Sequence, residues 1–288
     1  MNKYFGLLAK THIHPITWLA AAFAVITGRF TDLAMLFLIV FVHELGHGAA
    51  AAFFSWRIRR LYLLPFGGVA EMDEHGNRPL KEEAIVTLAG PAQHIWLMGA
   101  AFILFQLQWI SAYKFELFIL YNFMILFFNM LPIWPLDGGK LLFMFLSLNR
   151  SFPDAMQKAL IASFAGLGIF ASASLILNPF NLHFWIVTTF LLFSLYQEWK
   201  QRRYVFMRFL LERYYGKNYD LRKLQPIVTE ESDLIIEVLE KFQRGCKHPI
   251  IVKSGGEEKA CLDENELLHA YFSEKLLTAK VGDLLYQY

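Results

Sequence analysis

His43 and His47 stand four residues apart in the run His43-Glu44-Leu45-Gly46-His47. At helical spacing their imidazoles project from one face and can hold one metal ion. Glu44, beside the first of them, is placed to take a proton from a metal-bound water. Five-residue patterns of this kind recur by chance in soluble helices, so the surroundings decide. The run lies in the middle of Leu33 to Phe54, an apolar stretch about 33 Å long as a helix, enough to cross a bilayer. An acid at mid-membrane depth costs about 2.5–3.5 kcal/mol on insertion scales, so ionisable residues there mark function by default. A second carboxylate stands out downstream. Between two apolar runs the chain reads Pro132-Ile133-Trp134-Pro135-Leu136-Asp137-Gly138-Gly139-Lys140. Two prolines and two glycines around one Asp look like a helix break that aims a carboxylate. Asp137 is therefore the candidate third ligand. The plainer alternative is a loop aspartate paired with Lys140 at the surface.

The elements that must position these groups follow from composition. Of 288 residues, 56% are hydrophobic, 18% are charged and 28 are Phe. Mean hydropathy is +0.37. This places the chain among polytopic α-helical membrane proteins rather than soluble enzymes. A net charge of +2 gives no reason to expect direct nucleic-acid binding. The N-terminus lacks an apolar h-region followed by a small-residue cleavage site, so no removable signal peptide is expected. Cys246 and Cys261 are not in a CxxC pair and read as free cytosolic thiols.

Spans are expected at Ile16–Ile26 (short), Leu33–Phe54, Ala84–Leu107, Phe115–Leu131, Ala159–Leu177 and Phe180–Tyr196, six in all. Thr11-His12-Ile13-His14-Pro15 reads as a strand or an interfacial segment. Leu61 to Ala70 is too short and too rich in Gly and Pro to span. Tyr62, Leu64, Phe66 and Val69 suggest an extended or hairpin piece turned at Gly67-Gly68. Its edge, over Phe66, Gly67, Gly68 and Val69, could pair with a substrate segment; otherwise it is an interfacial loop. In the third span Gly90-Pro91 permits a kink. His94 could stand behind a metal ligand, though a lone histidine inside a span more often just finds one hydrogen-bond partner. Basic residues gather at Lys3/Lys10, Arg57–Lys81, Arg150/Lys158 and Lys200–Arg213, against Arg29 and Lys114 on the other side. The positive-inside rule then puts both termini in the cytosol.

Residues Gln197 to Tyr215 are basic and aromatic and read as an amphipathic helix on an anionic leaflet. Beyond Pro226 a helix is expected over Ser232–Phe242 and strands over His248–Lys253 and Lys259–Leu262, turned at Ser254-Gly255-Gly256. A second helix opens at Asp263 with Glu266. The resulting division is a membrane core over 1–196, a linker over 197–225 and a small α/β unit over 226–288. That unit carries no catalytic constellation and suits sensing or homo-oligomer formation.

His43-Glu44-Leu45-Gly46-His47, taken with Asn129, Pro132 and Leu136-Asp137-Gly138, resembles the paired signature of the site-2 protease family of intramembrane metalloproteases. Phe66-Gly67-Gly68 and Gly90-Pro91 resemble further marks of it. The resemblance implies zinc held by His43, His47 and Asp137, Glu44 activating water, and a membrane-associated protein substrate cut near or within the bilayer. A six-span core followed by a unit resembling a single CBS domain is similar to the family's sporulation branch in bacilli. That likeness implies a sigma-factor precursor of the pro-sigma-K type as substrate and membrane-protein inhibitors as regulators. It also implies residence in the mother-cell membrane around the forespore, with ATP at the CBS-like domain. Many family members carry an Asn shortly after Gly-Pro. Gln93 and His94 stand there instead, so no oxyanion role is assigned to them.

The chemistry expected is peptide hydrolysis, with three protein ligands leaving a fourth zinc position for water and Glu44 shuttling its proton. Asn129, on the span that leads to Asp137, is a candidate to steady a ligand or the oxyanion. A CBS-regulated metal transporter with the same residues as a transit site is the alternative, since ion pathways also break helices around ionisable groups. It gives no reason for a Glu beside the ligand. An inactive family member that only binds its client would have no need of four competent residues.

Overall fold

The computed structural model describes residues 11–13, 15–56, 58–64, 67–72, 78–177, 179–216 and 223–285. In chain order these form β1 (Thr11–Ile13), α1 (Pro15–Ile26), α2 (Phe30–Phe53), β2 (Ile58–Leu64), β3 (Gly67–Met72), α3 (Leu80–Gln106), α4 (Ala112–Asn129), α5 (Asp137–Ser147), α6 (Phe152–Leu177) and α7 (Leu182–Tyr215). A smaller set follows: β4 (Lys223–Leu224), β5 (Ile227–Glu230), α8 (Ile235–Leu239), β6 (Cys246–Lys247), β7 (Ile250–Ser254), β8 (Glu257–Leu262), α9 (Glu264–Phe272) and α10 (Val281–Leu284). Helices occur at all six expected spans. Among the described residues three of them, α2, α3 and α6, are both long and apolar enough to cross a membrane. Residues 197–215 do not form a separate surface helix; they continue α7, which runs unbroken for 34 residues.

The chain divides into two compact units, one of residues 1–74, 81–141 and 163–192, the other of 75–80, 142–162 and 193–288. In the first, α2 buries Ile39, Val40, His43, Glu44, Gly46, His47, Gly48 and Ala51, a stripe recurring every three to four residues. The helical period thus carries the histidines inward on the same face as the apolar contacts, while Leu38 and Phe53 point outward. β1, β2 and β3 form a sheet in that order beside α2, β1 parallel to β2 and β2 antiparallel to β3. The expected hairpin is present, but its turn is not at Gly67-Gly68. Those residues open β3 and pair with Leu64 and Leu63. Phe66 and His14 lie outside the described residues.

In the second unit Phe152 stacks on Phe209 at 4.4 Å, Phe143 meets Phe152 edge-on at 5.5 Å, and the Phe152 amide donates to the Phe242 carbonyl. The sheet runs β5-β7-β8, with Ile227, Thr229, Ile250 and Val252 on its buried face. β7 and β8 meet through Gly255-Gly256, both at positive φ, as a two-residue hairpin turn requires. Asp263 caps α9 and Glu266 completes the capping box. The helix-strand-strand-helix succession expected from the sequence is present as α8, β7, β8 and α9, with β4, β5, β6 and α10 around it.

Arg213, near the end of α7, is buried within this unit. Its guanidinium grips both carboxylate oxygens of buried Glu264 at 3.2 and 2.8 Å and donates to the carbonyls of Gln243 and Cys246. Glu264 also accepts from the His248 amide. The His248 ring accepts from the Gln243 amide through Nε2 and donates from Nδ1 to the Gln225 carbonyl. That fixes it as a neutral tautomer. Burial first, and the Arg213 charge after it, hold the His248 pKa below its usual 6.5. The unfolded chain therefore takes up this proton before the folded one does, and stability rises with pH across that interval. Opening free energies of β7 amides by hydrogen exchange should be level above pH 6.5 and fall below it, and His248→Gln should flatten the fall.

Candidate metal centre

α2 supplies two of the groups. His43 and His47 are buried, their rings 4.8 Å apart and nearly perpendicular, with Nε2 atoms 3.1 Å from each other. Asp137, the first residue of α5, brings Oδ2 to 3.2 Å from His43 Nε2 and 3.1 Å from His47 Nε2. Three donor atoms from residues up to 94 positions apart thus form a near-equilateral triangle. A tetrahedral zinc with ligands about 2.0–2.1 Å away keeps them about 3.3 Å apart, close to this spacing. Two imidazoles and one carboxylate are also a donor set that zinc accepts in catalytic sites.

The hydrogen bonds on the far side of the rings strengthen the fit. His47 Nδ1 lies 2.8 Å from the Val86 carbonyl, which can only accept, so the proton sits on Nδ1 and Nε2 of the neutral ring is bare. That bare lone pair faces the carboxylate oxygen and the Nε2 of His43 in a buried place. Such convergence is unfavourable in itself and favourable around a divalent cation. Glu44 is buried too, and one carboxylate oxygen of it lies within 4.8 Å of a ring nitrogen of each histidine. Asp137, about 3 Å from both Nε2 atoms, completes the tighter cluster and leaves Glu44 beside it.

Asp137 does pair with Lys140, as the plainer reading expects, but it is buried rather than on a surface loop. Its Oδ1 accepts from Lys140 Nζ at 3.3 Å while Oδ2 faces the imidazoles. The break between α4 and α5 allows this approach. A Cβ on Gly138 would collide with the carbonyls of Met130 and Leu131, and one on Gly139 would lie 2.5 Å from the Trp134 amide. The loop is therefore folded directly over the start of α5, and glycine is what lets backbone approach backbone.

Gly90 plays the matching part between α2 and α3. A Cβ there would lie 2.5 Å from Cε1 of His47 and closer still to Nε2. On the facing helix, a Cβ on Gly46 would fall 2.5 Å from the Ala89 carbonyl oxygen. At this crossing the His47 ring lies against Gly90 and the Gln93 side chain against Gly46, with nothing larger than a hydrogen to spare at either glycine.

Asn129, the last residue of α4, is half-buried, and among the described residues no side-chain hydrogen bond joins it to the cluster. Instead His94 and Asn122 stand behind His43: His94 Nε2 is 3.1 Å from His43 Nδ1, and His94 Nδ1 is 3.0 Å from Asn122 Oδ1. His94 thus has two partners rather than one. Gly67, Gly68 and Val69 are in β3, whose outer side pairs with no strand among the described residues.

A model of peptidase family M50 matches residues 31–113 and 106–173. Stage IV sporulation protein FB of Bacillus subtilis is 49% identical over 288 residues, which is 100% of each chain. A zinc metalloprotease of Methanocaldococcus jannaschii is 32% identical over 158 residues, 52% of this chain and 46% of that one. A solved site-2 protease from Methanocaldococcus jannaschii aligns with a TM-score of 0.52 at 26% identity, over 65% of this chain and 89% of its own.

Gly90→Ala should push the His47 ring off the triangle. Metal analysis of the purified protein should then show zinc per chain well below wild type, with helix content by circular dichroism unchanged.

Proposed function

The chain belongs to peptidase family M50 and is an intramembrane zinc metalloprotease, and from that premise we propose that His43, His47 and Asp137 hold the zinc and Glu44 is the base. The observation that carries this is the buried triangle of Nε2, Nε2 and Oδ2 with Glu44 beside it. Zinc, when bound, supplies a Lewis acid that polarises the scissile carbonyl and acidifies water. Glu44 takes the proton of the attacking water and returns it to the leaving amine. Lys140 holds the second oxygen of Asp137 and keeps that carboxylate directed through Oδ2. Asn129, at the end of α4, is proposed to steady a ligand or the oxyanion.

The metal-transporter alternative gives way to the enzyme, since the relatives are metalloproteases. The reading extends to six spans with both termini in the cytosol, supported by helices at each expected position and by the basic loops. It extends also to a C-terminal unit likened to a single CBS domain on its β5-α8-β7-β8-α9 succession; ATP binding and homo-oligomer formation follow from that likeness alone. The full-length likeness to a sporulation protein supports a membrane-bound sigma-factor precursor as substrate, membrane-protein inhibitors as regulators and the mother-cell membrane around the forespore as location.

Glu44→Gln should leave about one zinc per chain and abolish cleavage of a co-expressed sigma-factor precursor. Cleavage that persists in this variant removes Glu44 as the base.

A helical substrate hides its amides and must unwind to be cut. The side of β3 that pairs with no strand among the described residues, over Gly67, Gly68 and Val69, is proposed to receive the unwound stretch as an added strand, with Phe66 next to them in sequence. Helix-breaking residues placed beside the cut site should therefore speed cleavage, and equal rates across such a series would remove the pairing.

A further inference from the structure

His94 and Asn122 belong to no ligand set, yet both are wholly buried, and together they join α3 and α4 to the metal-facing ring of α2. The hydrogen bonds admit one direction. Asn122 Nδ2 donates to the Phe118 carbonyl at 2.8 Å, so its Oδ1 is the atom turned to His94. An amide oxygen can only accept, so His94 carries its proton on Nδ1 and, being neutral, has a bare Nε2. That bare nitrogen lies 3.1 Å from His43 Nδ1, which must then carry the His43 proton. His43 is left with its lone pair on Nε2, aimed at His47 Nε2 and Asp137 Oδ2. The polarity that starts at a helix carbonyl is thus passed through two side chains and ends as an electron pair at the metal position.

We propose that His94 is a positioning residue for the metal centre: it fixes His43 in the tautomer and ring plane that present Nε2, and Asn122 fixes His94 in turn. The inference rests on His43 being a zinc ligand. Ligating histidines usually give their second N–H to a carboxylate, a carbonyl or water, and such partners matter about 10–100-fold in metal affinity. Here a neutral imidazole fills that place, so the proton is held without a further negative charge near the ion. Without His94 the buried Nδ1–H of His43 loses its acceptor, and the ring gains by rotating or exchanging tautomers.

The test uses the purified full-length protein, with zinc affinity from chelator competition and the absorption bands of the cobalt-substituted form. His94→Leu should lower zinc affinity about 10–100-fold and shift the cobalt bands. His94→Gln, whose amide oxygen can accept the same proton, should recover most of the affinity. Asn122→Leu should shift both readouts the same way by less. Wild-type affinity and cobalt bands in His94→Leu would overturn the proposal; should that chain not fold, wild-type values in Asn122→Leu do so instead. His43→Ala separates this from the ligand reading: retained wild-type affinity there removes His43 from the zinc site, whereas loss there with His94→Leu unaffected removes only the role of His94.

Discussion

One carboxylate oxygen against two imidazole nitrogens, all three buried, is the constraint to which this fold answers. In hydrocarbon or protein interior such a set is tolerable only when every other polar atom of the three side chains is accounted for. Each is: His47 through the Val86 carbonyl, His43 through His94, and Asp137 through Lys140. The helical period of α2 supplies only two of the three groups. The third must come from another element, and it does so where α4 ends, the chain turns, and α5 starts on Asp137. Glycine sits at each close approach, at Gly46 and Gly90 where helices cross and at Gly138 where the loop folds back.

How much of this could be read beforehand differs by residue. His43, Glu44 and His47 announce themselves because their chemistry is encoded at helix spacing. Asp137 was legible from the punctuation around it, since Pro and Gly flanking an acid between apolar runs have few other uses. His94 and Asn122 carry no such spacing: they are 51 and 28 residues from their partners, and only packing brings them together. The available hint was that a polar side chain inside a span needs a partner. His94 could be named as a possible support for a ligand, but its partner could not: Asn129 lies two turns along the same face of α4 as Asn122, so pattern alone does not separate them. In the hairpin, Gly67-Gly68 has the composition of a turn, but its pairing with Leu64 and Leu63 makes it strand.

The C-terminal unit was the more legible part of the fold because its cues are local: a Gly-Gly hairpin, a capping box at Asp263, and alternation along short strands. Its tie to α7 was not. Arg213 sits in a basic, aromatic run that looks like a surface helix, yet it is buried on Glu264. A buried ion pair of this kind adds little over apolar packing, but removing either partner strands a charge. It holds the end of α7 and the start of α9 in one arrangement.

The free side of β3 bears on how such an enzyme would choose where to cut. At its two opening glycines the strand edge offers backbone donors and acceptors and no side chain, so on the proposed pairing that stretch is blind to the letters of its client. What it can weigh is the effort of pulling a turn of helix apart. Selection then becomes a mechanical survey for the softest place in a client chain, and a client advertises its cleavage point by weakness rather than by a recognition sequence.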